Sequence, residues 1–254
     1  MMSAPIKKLV VLYGIGGLSD VGRHVVQVLL EQPSIGSVTV LTQHPKKLLE
    51  ETNWECGCPE PHIFSDEQKK RLNLVAVDKW DDADLPAHFE GAHSVISCLG
   101  NRQPGFFDKS LKKGWVSYPG NQMVIRSMKQ HGITRAVVIT SVGIEEDWPP
   151  LEFHFGGKIL GLMFRTNTKT AVRDLTQMER AYRSTDEKDI DFLLVRPVGI
   201  GEECKPSGKW FLQKEKGKDA LGMDMAKLDV ARYMVTEALE PTRHRAAVVI
   251  GSEP

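Results

Sequence analysis

Four glycines lie close together directly after the first apolar run of the chain, at positions 14, 16, 17 and 22. The run 8–13 before them is typical of a buried strand, and Val21, Val25 and Leu29 after them recur at helical spacing. A pyrophosphate is bound by unshielded backbone N–H groups at a helix N-terminus, where the partial positive charge of the helix meets the anion. A glycine-rich turn between a strand and a helix therefore predicts a dinucleotide site. The expected contact residues are Gly14, Gly16, Gly17, Leu18, Ser19, Asp20, Val21 and Gly22.

The end of the second strand candidate predicts which dinucleotide is bound. An acid at this point hydrogen-bonds the ribose 2′-hydroxyl of NAD, whereas a basic residue binds the 2′-phosphate of NADP. Residues 42–47 read Thr-Gln-His-Pro-Lys-Lys and contain no acid, which favours NADP over NAD. Gln43 itself is neutral, so the phosphate would have to rely on Lys46, Lys47 or Arg23.

Cys56 and Cys58, with His62 nearby, raise the question of a metal site. A stable zinc site needs four ligands, and a fourth is not apparent, since Cys204 and His44 are distant in the sequence. We therefore expect no metal.

Strand and helix candidates alternate along the whole chain. The strand candidates are 8–13, 37–42, 72–77, 93–98, 135–140, 191–195 and 246–250. Helical patterns lie between several of them, at 21–29, 119–131, 170–184 and 228–239. This alternation predicts a single α/β domain over residues 1–254, a doubly wound Rossmann fold with a mostly parallel sheet. Two segments interrupt it: 51–70, expected to be a surface insertion, and 200–227, expected to be a flap near the substrate.

Composition and charge exclude several classes of protein. Lys+Arg and Asp+Glu number 33 each, so no overall field draws the protein to nucleic acid or to an anionic membrane. No apolar run approaches the length of a signal peptide core or a membrane span. The four cysteines are too scattered for a disulfide framework, which agrees with a reducing compartment. We expect a cytoplasmic monomer or homodimer that binds an unknown small-molecule substrate and neither nucleic acid nor membrane.

Nearly the whole chain resembles the short-chain dehydrogenase/reductase superfamily. Within it, the chain is most similar to the atypical NAD(P)H-binding branch, which contains NmrA-like regulators and flavin or biliverdin reductase-like proteins. The segments that carry the resemblance are 16–26, 38–48, 77–78, 95–100, 138–143, 195–199 and 229–232. The resemblance implies that Asp78 lies beside the adenine and that the turn Cys98-Leu99-Gly100 runs along the ribose. It also implies that the strand ends carrying Ser141 and Pro197 approach the nicotinamide.

The glycine-rich turn departs from the family pattern at two positions. Ile15 stands where threonine is usual, and Asp20 stands where the middle glycine is usual. The carboxylate of Asp20 would lie near the phosphates. It would repel the ligand unless its side chain turns back as a helix cap.

The candidate catalytic residues are Ser141, His154 and Lys158. Typical members of the superfamily place a serine at the end of the fifth strand, a tyrosine thirteen residues later and a lysine four residues beyond it. This sequence keeps that spacing but has His154 in place of the tyrosine. Four residues make about one helical turn, so both side chains could face the nicotinamide, and the ammonium would lower the histidine pKa. Histidine transfers protons near neutral pH, whereas Pro149, Pro150, Gly156 and Gly157 nearby disfavour a helix.

Two functions remain open from the sequence. The first is an NADP(H)-dependent oxidoreductase that reduces a small carbonyl, quinone or flavin-like acceptor, which the retention of Ser141 and Lys158 favours. The second is a non-catalytic dinucleotide-sensing regulator or assembly factor, which the loss of the tyrosine favours. The fold alone does not decide between them.

Overall fold

The structure is a computed structural model and describes residues 7–14, 20–49, 64–100, 116–142, 144, 169–201, 205–213, 221–222 and 225–253. The described strands are β1 (Lys7–Tyr13), β2 (Ile35–Thr42), β3 (Leu72–Ala76), β4 (Ser94–Cys98), β5 (Arg135–Ile139), β6 (Asp191–Pro197), β7 (Ile200–Gly201), β8 (Phe211–Leu212), β9 (Met225–Ala226) and β10 (Ala246–Gly251). The described helices are α1 (Val21–Glu31), α2 (Pro45–Leu49), α3 (Asp66–Lys70), α4 (Ser117–His131), α5 (Lys169–Arg183) and α6 (Lys227–Leu239), with a 3-10 helix over Leu85–Phe89.

Eight of these strands form one sheet in the order β3-β2-β1-β4-β5-β6-β10-β8. The pairs from β3 to β10 are parallel, and the short edge strand β8 is antiparallel to β10. Strands β7 and β9 form a separate parallel pair. The chain runs outward from β1 to β3 on one side and restarts on the other side at β4. The space between β1 and β4 is therefore the topological switch point, where this class of fold binds ligands.

Helices cover both faces of the sheet, because successive residues of a strand point to opposite faces. Leu9 and Val11 of β1 belong to a core cluster with α1 and α6. Val10 and Leu12 of the same strand belong to a second cluster with α4, α5 and the 3-10 helix. The prediction of a doubly wound, mostly parallel Rossmann fold is confirmed.

The predicted strands and helices are found to within a few residues, whereas the short helices α2 and α3 and the 3-10 helix were not predicted. Strand β2 begins at Ile35, two residues before the predicted start. Strand β6 continues through Pro197, which still aligns with Ile250 of β10. In the predicted surface insertion, Phe64 is 2% exposed and belongs to the α1/α6 cluster, so the described end of that segment is anchored in the core. Helix α3 follows Phe64 with a reciprocal capping box at Ser65.

The amino ends of the parallel strands carry a saturated charge network, here called the amino-edge network (Arg135, Asp191, Glu237, His244 and Arg245). The Arg135 guanidinium donates to the Asp191 carboxylate at 2.9 Å, to the Glu237 carboxylate at 3.3 Å and to the Glu237 carbonyl oxygen at 3.0 Å. Asp191 also accepts the backbone N–H of Arg245 at 2.9 Å and contacts Nδ1 of His244 at 2.8 Å. The network ties the starts of β5 and β6 to the end of α6 and the segment before β10.

A carboxylate from another helix caps the N-terminus of α4. Asp174 of α5 is buried and accepts the backbone N–H groups of Val116, Ser117 and Tyr118 at 2.8–3.0 Å. These N–H groups have no acceptor within their own helix, so Asp174 satisfies them. The Ser117 hydroxyl in turn donates to the Leu99 carbonyl oxygen at 3.2 Å, which fixes the start of α4 against the end of β4.

Candidate functional site

The carboxyl ends of β1, β2 and β4 lie level with one another. In the register of the sheet, Tyr13 of β1 is opposite Thr42 of β2 and Cys98 of β4. Gly14, Gln43 and Leu99 therefore follow at the same edge, here called the carboxyl edge of the sheet. Of the predicted turn, Gly14 and residues 20–22 are described, whereas Gly16, Gly17, Leu18 and Ser19 lie outside the described residues.

Gly22 allows α1 to approach the ends of two strands. A Cβ atom at this position would lie 3.0 Å from Cβ of Cys98 and 3.0 Å from Cδ2 of Tyr13, closer than side-chain carbons normally approach. Gly22 is the second residue of α1, so this close packing sets the position of the helix N-terminus. Close packing between helix and strand is the role of the last glycine in a dinucleotide-binding turn. The residues present thus fit a dinucleotide at the first strand-to-helix turn.

The side chain of Asp20 pairs with a lysine that the sequence analysis did not single out. Asp20 is the N-cap of α1 but makes no side-chain capping hydrogen bond. Its Oδ2 lies 3.4 Å from Nζ of Lys227, the first residue of α6, and Lys227 is 6% exposed. We expected the Asp20 carboxylate to repel a phosphate unless its side chain capped α1. The structure shows a third arrangement, in which the buried ammonium group of Lys227 lies beside that carboxylate.

The ends of β2 and β3 bring Gln43 and Asp78 together. Nε2 of Gln43 donates to the Asp78 carbonyl oxygen at 3.1 Å, and the Val77 N–H donates to the Thr42 carbonyl oxygen at 2.9 Å. Among the candidate cations, Lys46 and Lys47 are exposed on α2, whereas Arg23 is buried in α1 with 5% exposure.

At the end of β4, backbone groups are available to a ligand, whereas the Cys98 thiol is not reactive. Cys98 is fully buried, and burial raises the pKa of its thiol well above the ordinary range. A thiol in that environment stays protonated and unreactive, so Cys98 takes part in packing. Leu99 is also buried, while its carbonyl oxygen accepts the Ser117 hydroxyl. Gly100 is also among the described residues, whereas 101–115 lie outside them.

A buried polar cluster stands behind the end of β5, formed by Thr140, Glu179 of α5 and Arg196 of β6. Glu179 accepts Nε and Nη2 of Arg196 at 3.0 and 2.5 Å and the Thr140 hydroxyl at 2.9 Å. Burial raises the pKa of the Glu179 carboxyl, and the hydrogen bond and charge of Arg196 oppose that rise. The cluster joins the end of β5 to β6 and α5 through Thr140, which directly precedes Ser141. Ser141 is half-buried, and its hydroxyl donates to the Val142 carbonyl oxygen at 3.0 Å. The other two catalytic candidates, His154 and Lys158, lie outside the described residues.

Part of the predicted substrate flap (200–227) is hydrogen-bonded to α6. The Asp229 carboxylate accepts the backbone N–H groups of Ser207 and Gly208 at 2.7 and 3.0 Å. A cavity of about 340 Å³ lies beside this contact, and its lining includes Lys205, Lys209 and Ser252.

In the portion of the chain that the structure describes, no group of three or more His, Cys, Asp or Glu side chains could hold a metal ion. Cys56, Cys58 and His62 fall outside that portion. Among the described helices, none has the length and apolar character needed to cross a membrane.

The fold, the level strand ends and the close approach at Gly22 define a Rossmann-type dinucleotide-binding protein. The chain belongs to the NAD(P)H-binding family, whose sequence model matches residues 16–241. The predicted family resemblance is thus confirmed at the level of NAD(P)H binding. No curated protein matches the chain by sequence.

Solved structures with the same fold include enzymes of several descriptions. ChuY from Escherichia coli O157:H7, described as an anaerobillin reductase, is 18% identical with a TM-score of 0.65, and the match covers 97% of each chain. A short-chain dehydrogenase/reductase from Veillonella parvula is 12% identical with a TM-score of 0.66 over 98% of each chain. A putative epimerase from Bacteroides thetaiotaomicron is 19% identical with a TM-score of 0.64 over 98% of each chain. These similarities establish a shared fold.

Proposed function

We propose that this protein is a cytoplasmic NADP(H)-dependent oxidoreductase of the atypical short-chain dehydrogenase/reductase type. Its acceptor would be a small carbonyl, quinone or flavin-like molecule. The observation that carries the dinucleotide part of the proposal is the position of Gly22, which sets the N-terminus of α1 against the ends of β1 and β4. The bound cofactor would supply the hydride, while the chain supplies binding, orientation and exclusion of water.

The preference for NADP(H) is supported by the ends of β2 and β3. The exposed side chain of Gln43 carries no negative charge to repel a 2′-phosphate, and its amide is held against the backbone of Asp78. The exposed ammonium groups of Lys46 and Lys47 begin three residues further along the chain, on α2. In the proposed complex, Asp78 borders the adenine, and Cys98, Leu99 and Gly100 border the ribose through their backbone.

The proposed chemistry lies at the ends of β5 and β6. Ser141 follows a strand end that Thr140, Glu179 and Arg196 fix in place, so its hydroxyl has a rigid support. Rigid support is what a group that orients a substrate needs. We assign to His154 the transfer of a proton to the acceptor, and to Lys158 the tuning of His154 and the binding of the nicotinamide ribose. Pro197 ends β6 beside the same site.

The test is a binding and turnover screen on the purified full-length protein. NADPH and NADH are titrated first, and NADPH oxidation is then followed with a panel of quinones, aldehydes and flavins. Anaerobillin is included because ChuY is described as its reductase. We expect saturable NADPH binding, and NADPH oxidation that requires an acceptor. General acid catalysis contributes on the order of 10²–10⁴-fold, so His154→Ala should lower turnover at least about a hundredfold with cofactor affinity nearly unchanged.

The remaining outcomes separate the alternatives. Tight NADPH binding without turnover on any acceptor would favour a dinucleotide-sensing regulator. Failure to bind either dinucleotide would overturn both functions. Full turnover by the His154→Ala variant would remove His154 from the mechanism and leave hydride transfer guided by the pocket alone.

A further inference from the structure

A lysine is buried beside the glycine-rich turn, at a position that is unfavourable for stability. Lys227 is the first residue of α6, where the partial positive charge of the helix N-terminus opposes a cation. It is 6% exposed, and its Nζ lies 3.4 Å from Oδ2 of Asp20, longer than the 2.7–2.9 Å of a strong charged hydrogen bond. A buried ammonium is costly unless it is well paired. Such a departure from the rules of stability is expected where a ligand is bound.

The position of the pair connects it to the dinucleotide site. Asp20 directly precedes α1 and follows the glycines of the turn, so its carboxylate lies where a diphosphate would approach. An ammonium group has three N–H donors, and the contact with Asp20 needs one of them. Lys227 can therefore stay paired with Asp20 and donate to a phosphate oxygen as well.

We propose that Lys227 is a ligand of the dinucleotide diphosphate, and that Asp20 holds its ammonium group at the turn before the dinucleotide arrives. The inference rests on the proposed dinucleotide binding and adds to it a residue of α6, 207 positions from Asp20 in the sequence. The inference also gives a reason for an acidic residue in a phosphate-binding turn: the Asp20 carboxylate positions the Lys227 ammonium group. The ligand feature recognised is a diphosphate ester, which both NADPH and ADP carry.

The test is a double-mutant cycle with binding as its readout. The wild-type protein and the variants Asp20→Asn, Lys227→Met and Asp20→Asn/Lys227→Met are titrated with NADPH and with ADP at fixed ionic strength. A hydrogen bond to a charged group contributes about 1.5–3 kcal/mol, so Lys227→Met should weaken binding about tenfold to hundredfold. In the Asp20→Asn background, Lys227→Met should still weaken NADPH and ADP binding at least about fivefold, because Lys227 contacts the phosphate directly.

The cycle distinguishes direct contact from simple neutralisation. If Lys227 only cancels the charge of Asp20, Lys227→Met costs affinity in the wild-type background and nothing in the Asp20→Asn background. That result would overturn the inference. The deciding comparison is between Asp20→Asn and the double variant. Residue 20 is a neutral asparagine in both, so neither contains a carboxylate that has lost its ammonium partner. The comparison therefore holds even if Lys227→Met alone folds poorly.

Two controls complete the test. Adenosine 2′-monophosphate lacks a diphosphate and should bind wild type and Lys227→Met with equal affinity. If Lys227→Met weakened the binding of this probe as much as that of ADP, the site would be distorted, which would contradict the inference. Lys227→Arg keeps a cation and should recover part of the lost affinity. Failure of the wild-type protein to bind NADPH and NADH would count against the proposed function, whereas wild-type binding that Lys227→Met leaves unchanged would count against this inference alone.

Discussion

Both edges of the sheet hold buried charge, and they differ in how completely that charge is paired. At the amino edge, the guanidinium of Arg135 reaches the carboxylates of Asp191 and Glu237 and a backbone carbonyl within 3.3 Å. At the carboxyl edge, the ion pair of Asp20 and Lys227 is 3.4 Å long. At the end of β6, Arg196 is paired with Glu179 through Nε and Nη2, while its buried Nη1 has no hydrogen-bond partner in the part of the chain that is described.

We interpret the fully paired amino-edge network as stabilising the fold, and the incompletely paired ammonium group of Lys227 as available to a ligand. A fully paired buried network makes the structure rigid, whereas an incompletely paired one lowers stability. We therefore expect substitutions at the amino edge to change the free energy of unfolding and leave dinucleotide affinity unchanged. Substitutions at the carboxyl edge should change affinity.

The largest expected effect follows from removing the cation of the amino-edge network. Arg135→Leu leaves the buried carboxylate of Glu237 without its ionic partner, and breaking a buried pair in this way costs about 3–5 kcal/mol. Denaturant-induced unfolding measures the loss. The NADPH dissociation constant of the folded variant should equal that of wild type. A loss below about 1 kcal/mol, as for an exposed ion pair, would show that the network contributes little.

At the carboxyl edge, Gly22→Ala should affect stability and affinity together. The added methyl group would lie 3.0 Å from Cβ of Cys98 and from Cδ2 of Tyr13, so α1 and these neighbours must shift apart by a few tenths of an ångström. Overpacking of this kind costs about 1–3 kcal/mol, despite a gain in helix propensity of about 1 kcal/mol. Because the shift moves the helix N-terminus, NADPH affinity should fall about tenfold.

The matched control for Gly22→Ala is Gly132→Ala. Gly132 ends α4 with φ of 65°, so alanine there costs about 1–2 kcal/mol by backbone strain, with no neighbour to displace. Its NADPH affinity should be unchanged. Equal affinities for the two alanine variants would remove Gly22 from the site.

A smaller effect, confined to cofactor choice, is expected at the end of β2. Gln43→Asp places a carboxylate where the 2′-phosphate of NADP should bind and where an acid would accept the ribose hydroxyl of NAD. The ratio of the NADH and NADPH dissociation constants should move toward NADH by about tenfold, with stability nearly unchanged. Wild-type protein that already prefers NADH would show that the interpretation of residues 42–47 is wrong.

The smallest effect is a pH dependence at the amino edge. His93 precedes β4, and partial burial together with the charge of Lys7 lowers its pKa below the ordinary value of 6.5. A lowered histidine pKa favours the neutral form in the folded state, so its contribution is present above pH 6.5 and is lost as pH falls through the folded pKa. The thermal midpoint of wild type should therefore fall relative to His93→Gln as the solution is acidified below about pH 6.5. Parallel pH profiles would contradict the assignment.

Sequence patterns predicted most of the fold because the features that determine it are local. Alternation of apolar runs and helical spacing located the strands and helices to within a few residues, and the glycine pattern located the first strand-to-helix turn. The place of Gln43 and Asp78 at neighbouring strand ends also followed from the parallel order of β2 and β3.

Groups brought together by tertiary packing could not be predicted in the same way. Lys227 looks like an ordinary first residue of a helix until the packing of α1 against α6 places it beside Asp20. Asp174 caps a helix that begins 57 residues earlier, and Glu179 meets Arg196 across 17 residues. Each pairing depends on which helix covers which face of the sheet, and local periodicity does not contain that information.

The most direct test of the comparison between the two edges is amide hydrogen exchange of the wild-type protein with and without saturating NADPH. We predict slower exchange in peptides that contain residues 14–22, 43–47 and the start of α6 at Lys227, and no change in peptides over 133–135 and 240–246. Protection that falls on the amino edge, or that is absent from residues 14–22 when titration shows binding, would contradict the assignment of the dinucleotide to the carboxyl edge.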